Sequence, residues 1–471
     1  MNREAVLSIH DTNRPYRSTS QPPEKQIDMR TRRTTRPRRE ARPIAIDLFA
    51  GCGGLSLGFE QAGFDVAAAV EIDPIHAAVH KFNFPGCATI CRSVSGLSGA
   101  EVRRAAGIGE AKIDVVFGGA PCQGFSTIGK RALDDPRNRL VFEFVRLVVE
   151  LAADYFVFEN VKGLTLGKHR RFLEEVIAAF KKNGYDVVED YRVLNAADFG
   201  VPQDRRRLFL MGARKGLPLP SYPRETRARV SVSEAIGDLP DADGFDALLY
   251  SDAVRARFGR GSAYSRRLRG LQSDPGDYSH PRIFDRSILT SSTRTEHTDV
   301  SRERFLATRP GKVEPISRFH KLDSGSVCNT LRAGTDSARG AFTSPRPIHP
   351  SLARVITVRE AARLHAYPDW FRFHATKWHG FREIGNSVPP LLARAVAEQV
   401  REALGVQPKR PERPLRLGPE SLLYFDMSAA SAHFGVPGDT IAKRARSNEA
   451  KAEHAKSTED ATQPIASGCC I

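Results

Sequence analysis

The sequence lacks a long apolar run. Its richest stretch, residues 140–161, contains five charged residues, whereas a membrane-spanning helix needs about 20 mainly apolar residues. This excludes a transmembrane helix. Residues 1–10 also hold no apolar segment of signal-peptide length, so we expect the protein to remain in the reducing cytoplasm.

Cysteine is scarce as well. The 471 residues include seven cysteines, an odd number without regular spacing, which indicates free thiols and excludes a disulfide framework. The spacing of His76, His80, Cys87 and Cys91 would suit zinc. The sequence of residues 73–74, Asp-Pro, is instead typical of the start of an ordinary helix, and we predict no metal.

Acidic residues are outnumbered by basic ones. The chain has 71 Lys and Arg against 55 Asp and Glu, a formal net charge of +16. This excess indicates a polyanionic partner, with nucleic acid as the first candidate. Two regions carry most of it: residues 1–42, which we predict to be a disordered basic arm, and residues 251–320.

Short apolar segments alternate with helical patterns between residues 43 and 212. Strands are predicted at 44–49, 66–72, 113–117, 155–158 and 208–211. This alternation predicts a doubly wound α/β sheet, which binds ligands at the carboxyl ends of its strands. After Gly212 the sequence is irregular and basic, and a clear helical pattern follows Pro389 and Pro390.

Glycines follow the first predicted strand. They belong to the segment DLFAGCGGLSLG, residues 47–58, and would let the backbone approach a ligand at a helix N-terminus. Ser56 replaces the third glycine of a dinucleotide motif, so nucleotide binding and a plain tight turn both remain open. Glu71 and Asp73, after the next strand, favour a ribose ligand.

The segment GGAPCQGFS, residues 118–126, follows a later strand. It places Cys122 in a glycine-flanked loop, where Lys130 and Arg131 would favour its thiolate. The alternative is a small buried thiol that only packs.

Two more polar segments lie next to strands. Glu159 ends one apolar strand, and QDRRR, residues 203–207, precedes another, where alternation sends Arg205 and Arg207 to one side and Arg206 to the other. A surface glutamate and a solvated run of charge are the alternatives.

The order of these segments resembles that of the DNA cytosine-5 methyltransferase family. DLFAGCGG, PCQ, ENV, QxRxR, RVITVREAARL (354–364) and GNSVPP (385–390) follow the family's order and cover residues 43 to about 405. The resemblance implies a Rossmann-like class I S-adenosylmethionine-dependent methyltransferase sheet with a smaller, irregular target-recognition domain. The implied activity is methylation of cytosine C5 in a specific double-stranded DNA sequence, as in bacterial restriction-modification systems.

The resemblance also implies catalytic roles. Cys122 would attack C6 of a flipped-out cytosine, Glu159 would bind N3 and the exocyclic amine, and Arg205 and Arg207 would lie against the base. Asn160 would brace the loop. The other expected loop or substrate residues are Pro121, Gln123, Ser126 and Gln203.

The implied cofactor is S-adenosylmethionine. Phe49 would face its adenine and Glu71 its ribose. The other expected contacts are Gly51, Gly53, Gly54, Ile72, Ser93, Asn386 and Ser387. Ser93 and Ile72 depart from the family, which usually has an acidic residue at the first position and in some members an aromatic residue at the second.

The resemblance divides the chain beyond the arm into four parts. These are a catalytic and cofactor-binding domain at 43–212, a small domain at 213–380 with its target-recognition region at 213–350, a returning helix at 381–405, and a charged extension at 406–471. Two arginine-rich stretches, residues 255–269 and 282–309, are candidates for phosphate and guanine contacts. The first of them also contains Tyr264. Residues 428–446 loosely resemble a helix-turn-helix.

We expect a monomeric enzyme of the bacterial cytoplasm, associated with the nucleoid and acting on double-stranded DNA, with no membrane partner. A restriction endonuclease of the same specificity is a candidate partner. The tRNA-methylating branch of the family shares PCQ and ENV, but its Cys-Phe-Thr motif is absent here. A non-enzymatic DNA-binding protein would need a broken catalytic set, and this set is complete.

Overall fold

The computed structural model describes residues 42–121, 139–167, 169–226, 229–334 and 346–441. Cys122, Gln123 and Ser126 lie outside these ranges, as do nearly all of the basic arm and residues 442–471. Within the described ranges, no helix is long and apolar enough to cross a membrane.

A mixed eight-stranded sheet forms the centre of the fold. Its strands are β1 Ile44–Leu48, β2 Asp65–Glu71, β3 Ala88–Cys91, β4 Val115–Gly118, β5 Tyr155–Val161, β6 Tyr185–Val187, β7 Arg192–Asn195 and β8 Arg206–Arg214. They are ordered β3-β2-β1-β4-β5-β8-β6, with β7 also pairing with β8. The first five are parallel, and β8 runs antiparallel to its three neighbours. The predicted doubly wound α/β sheet is confirmed, although β3, β6 and β7 were not predicted.

Helices cover both faces of the sheet. The first five are α1 Gly54–Gln61, α2 Pro74–Asn83, α3 Gly99–Ala106, α4 Arg139–Glu150 and α5 His169–Lys182. Apolar side chains of α1 and α2 enter one core cluster, whereas those of α3, α4 and α5 enter another on the opposite face. The chain order reverses between β1 and β4, which leaves a crevice at their carboxyl ends.

Beyond β8 the regular elements are short. They are α6 Val232–Ile236, β9 Val254–Arg255, α7 Ala263–Leu268, β10 Arg282–Ile283, β11 Ile288–Leu289, α8 Asp299–Ala307, α9 Val358–Leu364, α10 Lys377–Asn386, α11 Pro390–Leu404, β12 Leu415–Arg416 and α12 Met427–Phe434. Helix α11 begins at a proline, as the sequence predicts, because the first turn needs no backbone donor there. It packs on α1 within the first core cluster.

Many arginines of the irregular region are used within the protein. Arg282 donates to both carboxylate oxygens of Glu60, each at 2.8 Å, and both side chains are buried. Arg269 lies 3.5 Å from Asp238, and the buried Tyr264 donates to the Arg363 carbonyl. These side chains therefore depart from the expected DNA contacts, because their polar groups are already bonded within the protein.

The C-terminal extension also differs from a free charged tail. Leu422 and Leu423 are buried, and α12 packs on α2. Helix α12 ends at Gly435 with φ of 64°, so the first helix and the glycine turn of the predicted helix-turn-helix are present. Most of the predicted second helix lies beyond residue 441, outside the described part.

Candidate active site

A cavity of about 1060 Å³ opens at the carboxyl ends of β1, β2, β4 and β5. Most of the predicted site residues that the structure describes line it: Phe49, Gly51, Gly54, Glu71, Ile72, Ser93, Pro121, Glu159, Asn160, Arg205, Arg207, Asn386 and Ser387. The sheet thus collects segments that are more than 300 residues apart in sequence. The described exceptions are Gly53 and Gln203, which do not line the cavity.

The turn between β1 and α1 is shaped by close approaches. Phe49 has a φ of 63°, an uncommon conformation for a residue with a side chain. Any side chain on Gly54 would overlap the Val388 carbonyl oxygen, and one on Gly53 would overlap the Phe84 ring. Gly51 has open space where a Cβ would lie. Gly53 and Gly54 are therefore required by close packing, and Gly51 and Gly54 line the cavity.

The carboxylate of Glu71 is held in place by the backbone. One of its oxygens accepts from the Gly51 amide at 2.7 Å and the other from the Asp73 amide at 2.8 Å. Burial raises the pKa of Glu71. Each oxygen keeps a further lone pair, so the group can still accept a hydroxyl donor from the cavity side.

Glu159, near the end of β5, also lines the cavity. Its Oε1 is 3.0 Å from Nε of Arg207, and burial raises its pKa although Arg207 and Arg205 favour the charged form. A Cβ at position 119 would come within 2.5 Å of the Glu159 carboxylate, so Gly119 leaves room there. A carboxyl group held in this way can stay protonated and donate to a ring nitrogen.

Asn160 contacts the loop that leads to Cys122. Its amide nitrogen donates to the Ala120 carbonyl at 3.0 Å, and its oxygen accepts from the Val161 amide. The first described residue of that loop, Pro121, lines the cavity beside Glu159.

The arginines of QDRRR alternate as the sequence predicts. Arg206 is 54% exposed, whereas Arg207 is 12% exposed and Arg205 is fully buried. Arg205 lines the cavity, but its two terminal nitrogens donate to backbone carbonyls: Leu331, Gly385 and Ser387 at 2.7–2.8 Å. These donors hold two chain segments together, while Nε has no hydrogen-bond partner among the described residues. The expectation that Arg205 lies against the base stays a prediction.

Gln203 has a similar internal position. Its amide nitrogen donates to the Leu364 carbonyl and lies 3.0 Å from Nδ1 of His365, and its oxygen accepts from the Leu331 amide. It is fully buried and is therefore shielded from substrate in this structure. Its hydrogen bonds position the segment that carries Leu331.

Several cavity residues were not predicted from the sequence. Residues 330–334, TLRAG, line the cavity because Cys328, two residues before them, pairs with Gln203 in a parallel bridge. Arg382 and Glu383 come from α10, and the C-terminal extension contributes Met427, Gly438 and Ile441. None of these stands in a motif that suggests a cofactor or catalytic site, and only the fold brings them together.

Two of the four residues of the alternative zinc site have other partners. Nε2 of His80 is 3.0 Å from the Ser56 hydroxyl, and the Cys91 thiol faces the Ile72 carbonyl. Across the part of the chain that the structure describes, no group of three or more His, Cys, Asp or Glu side chains is arranged to hold a metal ion.

Comparison with known proteins decides the family. The model of the family "C-5 cytosine-specific DNA methylase" matches residues 44–402. The chain belongs to this family. It is 66% identical over 405 residues to the Type II methyltransferase M.XorII of Xanthomonas oryzae pv. oryzae, which covers 86% of this chain and 95% of that protein. It is 35% identical to the Type II methyltransferase M1.HphI of Haemophilus parahaemolyticus, over 75% of this chain and 86% of that protein.

A solved structure supports the assignment. A prophage-encoded protein of E. coli, described as a DNA modification methyltransferase, superimposes with a TM-score of 0.64 at 35% identity, over 77% of this chain and 99% of that one. The present chain is thus a C-5 cytosine-specific DNA methyltransferase of the Type II restriction-modification kind.

Proposed function

We propose that the enzyme methylates C5 of a flipped-out cytosine within one specific double-stranded DNA sequence, with S-adenosylmethionine as the methyl donor and Cys122 as a transient nucleophile. The observation that supports this most directly is the cavity. It combines the Gly51–Glu71 pair on one wall with Glu159 and the start of the Cys122 loop on another. Two ligands, a cofactor and a base, would meet there.

The residues present fit S-adenosylmethionine. The carboxylate of Glu71 would accept the ribose hydroxyls, Phe49 and Ile72 offer apolar surface to the adenine, and Asn386 and Ser387 close the cavity from the C-terminal side. Ser93 would serve the adenine amine in place of the usual acidic residue. When bound, this cofactor supplies an electrophilic methyl group.

The protein's own groups would activate the base. The Cys122 thiolate would form a bond to C6 while Glu159 gives a proton to N3, which leaves C5 electron-rich. After C5 is methylated, loss of its proton would let the C6–S bond break and return the thiolate. Arg207 would orient the Glu159 carboxyl throughout, because Nε already lies 3.0 Å from it.

The DNA would be held by basic residues outside the cavity. Exposed arginines of the irregular region, such as Arg257, Arg260, Arg266 and Arg309, form no ion pair with other described residues and are candidates for phosphate contacts. We infer a monomer that acts on DNA of the bacterial nucleoid, with a restriction endonuclease of the same specificity as its partner.

Methyl transfer to duplex DNA tests the proposal. Radiolabelled methyl groups should appear in duplex DNA and not in tRNA, and bisulfite sequencing should place them at one sequence. Cys122→Ser should abolish transfer, and a duplex with 5-fluorocytosine at the target should trap the wild-type protein covalently. Cys87→Ser, which removes a thiol that does not line the cavity, is the matched control. Transfer to tRNA alone, or full activity of Cys122→Ser, would overturn the proposal.

A further inference from the structure

The C-terminal extension reaches the cavity. Met427 is the first residue of α12, and Gly438 and Ile441 follow the turn at Gly435. All three line the same cavity as Glu71 and Asn386. They lie beyond residue 402, where the match to the family model ends, so the family's shared sequence does not account for them.

Several contacts fix the path of the extension. The Gly418 amide donates to the Phe82 carbonyl at 2.8 Å, and the Ala375 amide donates to the Leu423 carbonyl at 2.9 Å. Asp426 caps α12 by accepting from the Ala429 amide at 2.8 Å. With Ala430 and Ser431 buried where α12 packs on α2, the helix has a defined position.

His374 links the extension to the cavity wall. Its Nε2 is 3.0 Å from the Phe425 carbonyl, and its backbone amide donates to the Glu383 carboxylate at 3.1 Å. Phe425 stands two residues before Met427, and Glu383 lines the cavity. The position of the extension is therefore coupled to α10, which carries Glu383 and Asn386.

Two residues that line the cavity hold buried polar atoms without a described hydrogen-bond partner. They are Nε2 of His76 and Oε1 of Glu383, on residues that are 6% and 1% exposed. Buried polar atoms are nearly always hydrogen-bonded, so two unpaired ones beside a cavity leave room for a partner from outside the protein, a water molecule or a ligand group. The apolar Met427 and Ile441 border the same cavity and would shield such a ligand from water.

We propose that residues 427–441 are part of the cofactor-binding site, and that Met427 and Ile441 contact bound S-adenosylmethionine. This inference rests on the proposed function, since it takes the cavity to be the cofactor site. It assigns to the extension a role in cofactor affinity and not in DNA contact. Loss of these apolar contacts should shorten the residence of the cofactor and raise its KM, with little effect on kcat at saturation.

Binding of S-adenosylhomocysteine, the unreactive product, tests the inference in the full-length protein by calorimetry. Met427→Glu and Ile441→Glu should each raise Kd by about tenfold or more, because a carboxylate would replace apolar contact in the cavity. Met427→Ala and Ile441→Ala add no charge and should weaken binding severalfold. Ala432→Glu places the same charge on the exposed face of α12 and should bind like wild type.

Two further readouts separate the outcomes. The unfolding midpoint without ligand and the affinity for target duplex should stay at the wild-type level in all variants. Wild-type Kd in all four cavity variants would overturn the inference and leave the proposed function intact. A wild-type protein that binds no S-adenosylhomocysteine and transfers no methyl group would overturn the proposed function itself.

Discussion

Replacement of Arg205 by methionine should act mainly on the stability of the folded protein and less on the chemical step. Arg205 donates to the carbonyls of Leu331, Gly385 and Ser387. The Gly385 carbonyl has no helical donor of its own, because the residue four positions later is Pro389, which lacks an N–H. The Ser387 carbonyl also lies 3.2 Å from Nε2 of His365 and keeps that contact.

The magnitude follows from the two carbonyls that would lose their donor. Each buried, unsatisfied carbonyl costs about 1–3 kcal/mol, which gives about 2–6 kcal/mol for Leu331 and Gly385 together. Part of this is offset, because burial already lowers the pKa of Arg205, and its removal relieves that cost. We therefore expect the free energy of unfolding to fall by about 2–4 kcal/mol.

Equilibrium unfolding in urea, followed by circular dichroism, measures this change. The affinity for S-adenosylhomocysteine should fall too, since Gly385 and Ser387 themselves line the cavity, on either side of Asn386. Arg206→Met, at an exposed neighbouring position, should leave both unchanged. Wild-type stability and cofactor affinity combined with a large loss of kcat would refute this reasoning and support a direct contact of Arg205 with the base.

Three other predictions follow from the geometry and the charge. Gly119→Ala should reduce kcat by about tenfold or more with normal cofactor affinity, because its Cβ would displace the Glu159 carboxylate. In Gly163→Ala the new Cβ would meet only Cγ2 of Val161, at 4.0 Å, an ordinary van der Waals contact, so this variant should stay active; equal activity of the two would contradict the prediction. Burial raises the pKa of Asp47 from 3.8 to about 8. The protonated Asp47 carboxyl therefore contributes its full stability to the folded protein at acid pH, and this contribution is lost as the pH rises between those two values. Asp47→Asn should therefore flatten the fall of the unfolding midpoint with pH, and parallel curves would argue against this. Removal of residues 1–41 should weaken DNA binding without changing the methylated sequence. The slope of log K for DNA binding against log salt concentration should become shallower by about 0.9 for each lost phosphate contact. An unchanged slope would show that the arm does not contact DNA.

The sheet and the cavity could be predicted because their signals are local. An apolar strand followed by glycine or a carboxylate marks the carboxyl end of a strand, and parallel pairing then brings Glu71 and Glu159 to one edge. The strands that escaped prediction, β3, β6 and β7, are three or four residues long and lie at or near the sheet edge, so they carry little periodicity.

The functions of the arginines could not be predicted in this way. Spacing places Arg205 and Arg207 on one side of β8, but it does not show that one meets carbonyls and the other a carboxylate. The same holds for Arg282, whose partner Glu60 is 222 residues away in the sequence. The same neighbours in sequence can surround an arginine that contacts DNA or one that forms buried hydrogen bonds between distant segments. Only the long-range packing of the fold distinguishes these two functions.

The segment around Gln203 and Arg205 also connects the region expected to read DNA with the cavity. It leads directly into β8, where Arg207 holds Glu159, and its buried side chains bind the backbone of the 328–331 segment. That segment belongs to the region expected to read DNA, and residues 330–334 line the cavity beside Glu159. A displacement of it would break hydrogen bonds of Gln203 and Arg205 and would disturb the Gly385 and Ser387 carbonyls at the cofactor side. Because these contacts are buried and short, we expect the cavity to stay intact at Glu159 and at the cofactor side only while the recognition region is correctly docked.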